Sequence, residues 1–137
     1  MVDVVGVGLN ATDTVIRLPH FPAFNSKLEV AGSEVMPGGQ VASALVACAQ
    51  WGLRTRYIGS IGDDHAADLQ RSEFSRASVE AHLKSVPGCS SQQAFVLVDQ
   101  GTGERTILWR RDPRLALRPE DVQRELIIHA RALHVDG

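Results

Sequence analysis

Cysteine is nearly missing from this 137-residue chain, and the little there is does not cluster. Cys48 stands inside an apolar run and Cys89 in a polar, turn-like segment, with no C-x-x-C spacing. That excludes a disulfide framework or a zinc ribbon and makes a reducing cytoplasm the expected compartment. His20, His65, His82, His129 and His134 are scattered without an H-E-x-x-H pairing, so none reads as a metal ligand. Charge of one sign is lacking too. A formal net charge of -2 gives no reason to expect nucleic acid or an anionic membrane as partner. No apolar run approaches the ~20 residues needed to cross a bilayer. The start, MVDVVGVGLN, has neither the basic residues nor the long apolar centre of a secretory signal. Repeats and low-complexity linkers are also missing. At 44% hydrophobic and 22% charged, the chain has the composition of one soluble globular domain.

What is present centres on the stretch from Met36 to Gly52, MPGGQVASALVACAQWG. A proline and a glycine pair open a run that is apolar on nearly every side, and glycine closes it. The first turn of a helix has backbone N–H groups with no internal acceptor. Without a Cβ at Gly38 or Gly39, a ligand's oxygens can approach that backbone. The helix behind, lacking an obvious polar face, is expected to be buried against a sheet. A plain Gly-Gly turn feeding a core helix is the competing reading.

Val2 to Leu9 reads as a buried strand. Its end, Gly6-Val7-Gly8-Leu9-Asn10-Ala11, matches the dinucleotide fingerprint G-x-G-x-x-[GA]. The continuation is β-branched and then broken by Pro19, which favours extended chain over the helix a pyrophosphate needs. A dinucleotide-binding oxidoreductase domain is therefore the weaker alternative. Asp13 is placed just past the strand, where α/β sheets bind ligands, though an Asx turn or helix cap accounts for it equally well.

Further on, 14–18 and 27–35 read as extended pieces joined by PHFPAFNS, and 56–62 as a second strand. Asp63-Asp64 suits the cap of a helix from His65 to about Arg76 with Ala66, Leu69 and Phe74 inward; capping is preferred to a cation site. Val79–Lys84 alternates as a half-exposed strand. Residues 94–99 and 104–110 form a hairpin around Gln100-Gly101-Thr102-Gly103. Arg110-Arg111 at its end is a positive spot able to meet an anionic substrate group, or a solvated loop end. Pro119-Glu120-Asp121 predicts a helix to about His129 with Val122, Leu126 and Ile127 inward, and 132–137 predicts a last strand. The alternation implies a parallel α/β sheet plus a small separate sheet from residues 14–36 and 94–111.

Pro37-Gly38-Gly39 with its small-residue helix, then Gly52 and Tyr57-Ile58-Gly59-Ser60-Ile61-Gly62-Asp63-Asp64, resembles the first signature of the ribokinase-like (PfkB) carbohydrate kinases. The strand leading to Asp13, Phe21-Pro22, the 94–110 hairpin and Leu117-Arg118-Pro119-Glu120 follow that family's order, so the resemblance covers the whole chain. It implies a ribokinase-like α/β sandwich with a β-sheet lid formed by 14–36 and 94–111. It also implies ATP-dependent phosphorylation of a hydroxyl on a sugar, polyol or nucleoside. By the same resemblance Asp13 binds the substrate, and the Gly38 and Gly39 backbone approaches its hydroxyls. Ser43 takes the place of an asparagine common in the family, a hydroxyl in place of an amide. Mg²⁺ is expected to arrive with ATP, and the lid is a possible homodimer contact. The family's G-A-G-D stretch with its catalytic aspartate does not occur here, and no P-loop replaces it. The chain also ends on a core-like strand with no helix to cover it. The expectation is thus the N-terminal, substrate-binding half of a sugar kinase, with a non-catalytic sugar-binding module as the alternative.

Overall fold

A computed structural model describes residues 1–136. The opening β-branched run forms strand β1 (Val4–Val7), which lies between β4 (Thr55–Ile61) and β8 (Ala132–Val135). With β5 (Glu80–Ser85) outside β4, the order is β5-β4-β1-β8, and every pairing is parallel.

Helix α1 (Gln40–Gln50) crosses over this sheet and buries Val41, Ala42 and Leu45. Gly6 permits the close approach, because a Cβ there would stand 2.5 Å from Leu45 Cδ2 and Val41 Cγ1. Gly8 plays a similar part, since its Cβ would overlap the Asp136 carboxylate. The glycines of the G-x-G motif are thus packing glycines. Helix α2 (His65–Arg76) adds Phe74, whose ring stacks on Tyr57 with centroids 4.6 Å apart. Full burial of side chains such as Leu45 and Phe74 stabilises the fold by about 1.5–3 kcal/mol each.

A second sheet, ordered β3-β2-β6-β7, stands apart from the first. β2 (Ala11–Leu18) pairs antiparallel with β3 (Gly32–Gly38) and parallel with β6 (Gln93–Asp99); β6 pairs antiparallel with β7 (Arg105–Arg110). The α/β class with a parallel sheet and a small separate sheet is as expected. Residues 11–18 being strand removes the helix that a dinucleotide site requires.

Three local expectations are corrected. The helix predicted from Pro119 to about His129 is replaced by single 3-10 turns, Pro119–Asp121 and Arg124–Leu126. Its start signals are real but serve one turn: Asp121 accepts from Arg118 N–H and from Lys84 Nζ, and Val122, Leu126 and Ile127 are half-buried. The 27–35 piece is strand only from Gly32 onward. Helix α2 turns Ala67, Gln70 and Phe74 inward instead of Ala66, Leu69 and Phe74. Buried Gln70 donates its amide to the Ala11 carbonyl, tying α2 to β2, a polar contact that a search for apolar stripes passes over.

Candidate substrate site

The site forms where the chain passes from one sheet to the other. After β1, residues Gly8 to Asn10 leave the parallel sheet, and Ala11 already belongs to the second. Buried polar groups fix this crossing. Tyr57 Oη donates to the Gly8 carbonyl at 2.7 Å and accepts from Asn10 Nδ2 at 2.8 Å. Asn10 Nδ2 also donates to the Ser60 carbonyl at 2.8 Å. Asp136 accepts from Leu9 N–H at 3.0 Å. Burial pushes the Tyr57 phenol above its ordinary range, so it remains a neutral donor and acceptor.

Asp13 follows beyond the end of β1, as the third residue of β2. It sits in register with Met36 on one side and Ala94 on the other, and Ala94 pairs onward with Trp109. The row Met36–Asp13–Ala94–Trp109 therefore crosses all four strands on one face. Two strand spacings separate Asp13 from Trp109, about 10 Å, and the small Ala94 leaves the gap between them open. The Asp13 carboxylate lies against Gly38, where any Cβ would overlap Oδ2. Burial raises its pKa above the usual carboxylate value, and no protein hydrogen bond to it occurs among the described residues.

Gly39 caps α1 with φ 102°, in the left-handed region that disfavours side chains, and no side chain supplies a capping bond. A Cβ there would stand 2.5 Å from Asn10 Cα and 2.6 Å from the Leu9 carbonyl oxygen, so the glycine also lets two backbones pass. Ala42 N–H donates to that Leu9 carbonyl at 3.2 Å. A helix start without a side-chain cap offers its remaining first-turn amides to a ligand. Ser43 follows on the first turn with its side chain exposed.

These parts enclose a cleft of ≈ 730 Å³ between the second sheet and the start of α1. Asp13, Gly38, Gly39 and Ser43 all line it, so the four residues picked from sequence meet at one place. Its far wall is Val96, Ile107 and Trp109, with Gln92 and Arg111 at one end. Trp109 carries no signal of its own in the sequence, whereas Arg111 belongs to the Arg110-Arg111 positive spot; the alternation along β7 and the hairpin register place both in the cleft. The size falls within the range of small-molecule sites. One carboxylate, a helix start and an apolar wall suit a compact ligand with hydroxyls on its edge and C–H groups on its faces. Asp64, by contrast, is a structural group. It accepts from Ala67 N–H at 3.1 Å as the α2 cap and from Ser91 Oγ at 2.7 Å. Among the described residues no group of three or more His, Cys, Asp or Glu gathers to hold a metal, and no helix is long and apolar enough to cross a membrane.

Fold and cleft together define an α/β domain with a parallel four-stranded sheet, a second four-stranded sheet, and a cleft of small-molecule size between that second sheet and the start of α1. The chain belongs to the pfkB family of carbohydrate kinases, whose family description matches residues 1–137. It is 26% identical to the ATP-dependent ribose-1-phosphate kinase of Halopiger xanaduensis over 98% of this chain and 46% of that one. It is 28% identical to fructokinase-2 of Solanum habrochaites over 80% of this chain and 34% of that one. The ribokinase structure from Giardia lamblia superposes with a TM-score of 0.86, covering 98% of this chain and 41% of that one at 20% identity; that likeness is one of fold. The chain spans less than half the length of each of these relatives.

Proposed function

We propose that this chain is the substrate-binding half of an ATP-dependent kinase that phosphorylates a hydroxyl of a sugar or a similar polyol. The observation carrying this reading is Asp13 lying against Gly38 beside the uncapped start of α1, inside a cleft between the second sheet and that helix start. In this role the Asp13 carboxylate accepts from a sugar hydroxyl and fixes its orientation. The Gly38-Gly39 backbone approaches neighbouring hydroxyls, and Ser43 adds a short hydroxyl at the rim. The second sheet acts as the lid, bringing Trp109 and Ile107 down on the sugar and excluding water. Orientation and charge stabilisation are the principal contributions a protein makes to phosphoryl transfer.

The residues of this chain do not fit an ATP or Mg²⁺ site: there is no phosphate-cradling loop, and no carboxylate cluster gathers among the described residues. Nucleotide, metal and catalytic aspartate are accordingly assigned to the remainder of the intact enzyme. The two free cysteines suit work in a reducing cytoplasm. The lid is also proposed as a homodimer contact. Its face away from the cleft carries the row Val35–Thr14–Phe95–Leu108, in which Val35, Phe95 and Leu108 are exposed.

Incubation of the intact enzyme with ATP, Mg²⁺ and a panel of sugars, polyols and nucleosides tests the reading. Acceptor-dependent release of ADP, with an equal amount of phosphorylated acceptor by mass spectrometry, is expected. Acceptor binding without ADP release under any condition would make the protein a recognition module and not a kinase.

A further inference from the structure

The cleft has two charged side chains among its lining residues, Asp13 and Arg111, and they differ in kind. Arg111 follows β7, two residues beyond Trp109, at the cleft end shared with Gln92. It is half-buried, and its one protein hydrogen bond among the described residues is a long one, Nη2 to the Leu115 carbonyl at 3.4 Å. No carboxylate lies within ion-pair distance of it among those residues. Other arginines contrast with this. Half-buried Arg56 is held by Glu80 through two bonds of 2.9 and 3.0 Å, and neighbouring Arg114 is taken by Asp112. Arg105, Arg110 and Arg124 also lack acid partners, but they are exposed, where water solvates a guanidinium.

Withdrawing a charge from water is costly unless an opposite charge or several hydrogen bonds replace the lost solvation. A guanidinium presents a planar fork of donors that matches carboxylate and phosphate oxygens. At Arg111 the protein supplies the fork without the anion. The same end of the cleft holds a second incomplete group: Gln92 Oε1 is buried and has no hydrogen-bond partner. An acceptor beside a free cationic donor suits a ligand end that bears both an anionic group and a hydroxyl.

We infer that the substrate is an acidic sugar, bound with its carboxylate or phosphate on Arg111, an adjacent hydroxyl on Gln92 and a further hydroxyl on Asp13. This deepens the sugar-kinase reading and rests on it for the identity of the cleft. It assigns Arg111 the choice between acidic and neutral sugars, and separates the anion-binding end of the cleft from the hydroxyl-binding end at Asp13.

The test is direct binding to the intact enzyme, followed by calorimetry without ATP and then by turnover with ATP. The probes are D-gluconate, D-ribose 5-phosphate and neutral D-ribose, with inorganic phosphate as control. The expected result is that gluconate or ribose 5-phosphate binds about ten- to a hundredfold more tightly than ribose, the range of a hydrogen-bonded charge. Preference between the two acids tells a sugar acid from a sugar phosphate. Arg111→Ala should abolish the preference by weakening the acidic sugars far more than ribose, and Arg111→Lys should restore part of it. Equal binding of neutral and acidic sugars, no binding of either acid, or an Arg111→Ala effect on ATP alone would each overturn the inference. Arg111-dependent binding of an acidic sugar with no turnover would uphold it while refuting phosphoryl transfer. An unchanged circular dichroism spectrum and melting curve for Arg111→Lys guards against a folding defect.

Discussion

The Asp13 carboxylate lies against the backbone of Gly38 so closely that residue 38 has no room for a β-carbon. Gly38 is buried at the end of β3 and pairs with Ala11, so neither partner can retreat without breaking the β2–β3 ladder. A carboxylate on β2 and the last glycine of β3, just before α1, are thereby held as one unit.

Gly38→Ala should force the carboxylate off its position. Overpacking at such a site costs about 1–3 kcal/mol, and misplacing an orienting group costs about a hundredfold in turnover. Steady-state kinetics of the intact enzyme together with its melting temperature separate the two effects. Wild-type sugar KM and kcat would show that the pairing of Asp13 with Gly38 is irrelevant to the site.

Asp13 itself should reduce stability at neutral pH. Burial raises its pKa in the folded chain above the ordinary 3.8, so the unfolded chain gives up the proton first as pH rises. Stability from this group is full below the unfolded pKa and is lost as pH climbs through the raised folded value. Asp13→Asn should therefore melt higher than wild type at pH 7, with the gap closing toward pH 3 and below. Melting curves across that range check it, and a gap that widened on acidification would contradict the assignment.

Asp64 should behave in the opposite sense. Burial pushes its pKa up, but the bonds from Ser91 Oγ–H, Ser91 N–H and Ala67 N–H outweigh that and hold it below the usual value. Its contribution is present above the ordinary carboxylate pKa and is lost as pH falls through the lowered one. Asp64→Ala removes the α2 cap and should cost about 0.5–2 kcal/mol at pH 7, with sugar KM little changed. Denaturant unfolding at pH 7 and at pH 3 measures both parts.

Tyr57→Phe keeps the ring that stacks on Phe74 and deletes the hydroxyl shared by Gly8 and Asn10. Leaving those buried groups short of a partner should cost about 1–3 kcal/mol. A double-mutant cycle with Asn10→Ala checks that the bond is the cause, since the two losses should not add.

The parts of this architecture that are local in sequence were legible before the fold. The glycine pair before α1, the cap at Asp64 and the alternation of strands with helices depend on neighbours a few residues apart. Asp13, Gly38, Gly39 and Ser43 were reachable on that basis with a family resemblance beside it. Trp109 was not, and of Arg111 only the positive charge at the hairpin's end was. Their place depends on β7 pairing with β6, and β6 with β2, and that register joins residues nearly a hundred positions apart. Asn10 and Tyr57 were missed because a buried polar pair has no periodic signature. The helix expected after Pro119 failed for a related reason. A proline followed by acids marks the start of a single turn as well as of a long helix, and the Lys84–Asp121 pair that anchors this turn is itself nonlocal.

The account stands most directly on Asp13, and kcat/KM of the intact enzyme for its sugar, compared between wild type and Asp13→Ala, is the measurement that decides it. Loss of an orienting carboxylate should lower kcat/KM by about a hundredfold or more while leaving the KM for ATP near its wild-type value. An unchanged kcat/KM would remove Asp13 from the site and, with it, the reading of this cleft as the place where the sugar is held.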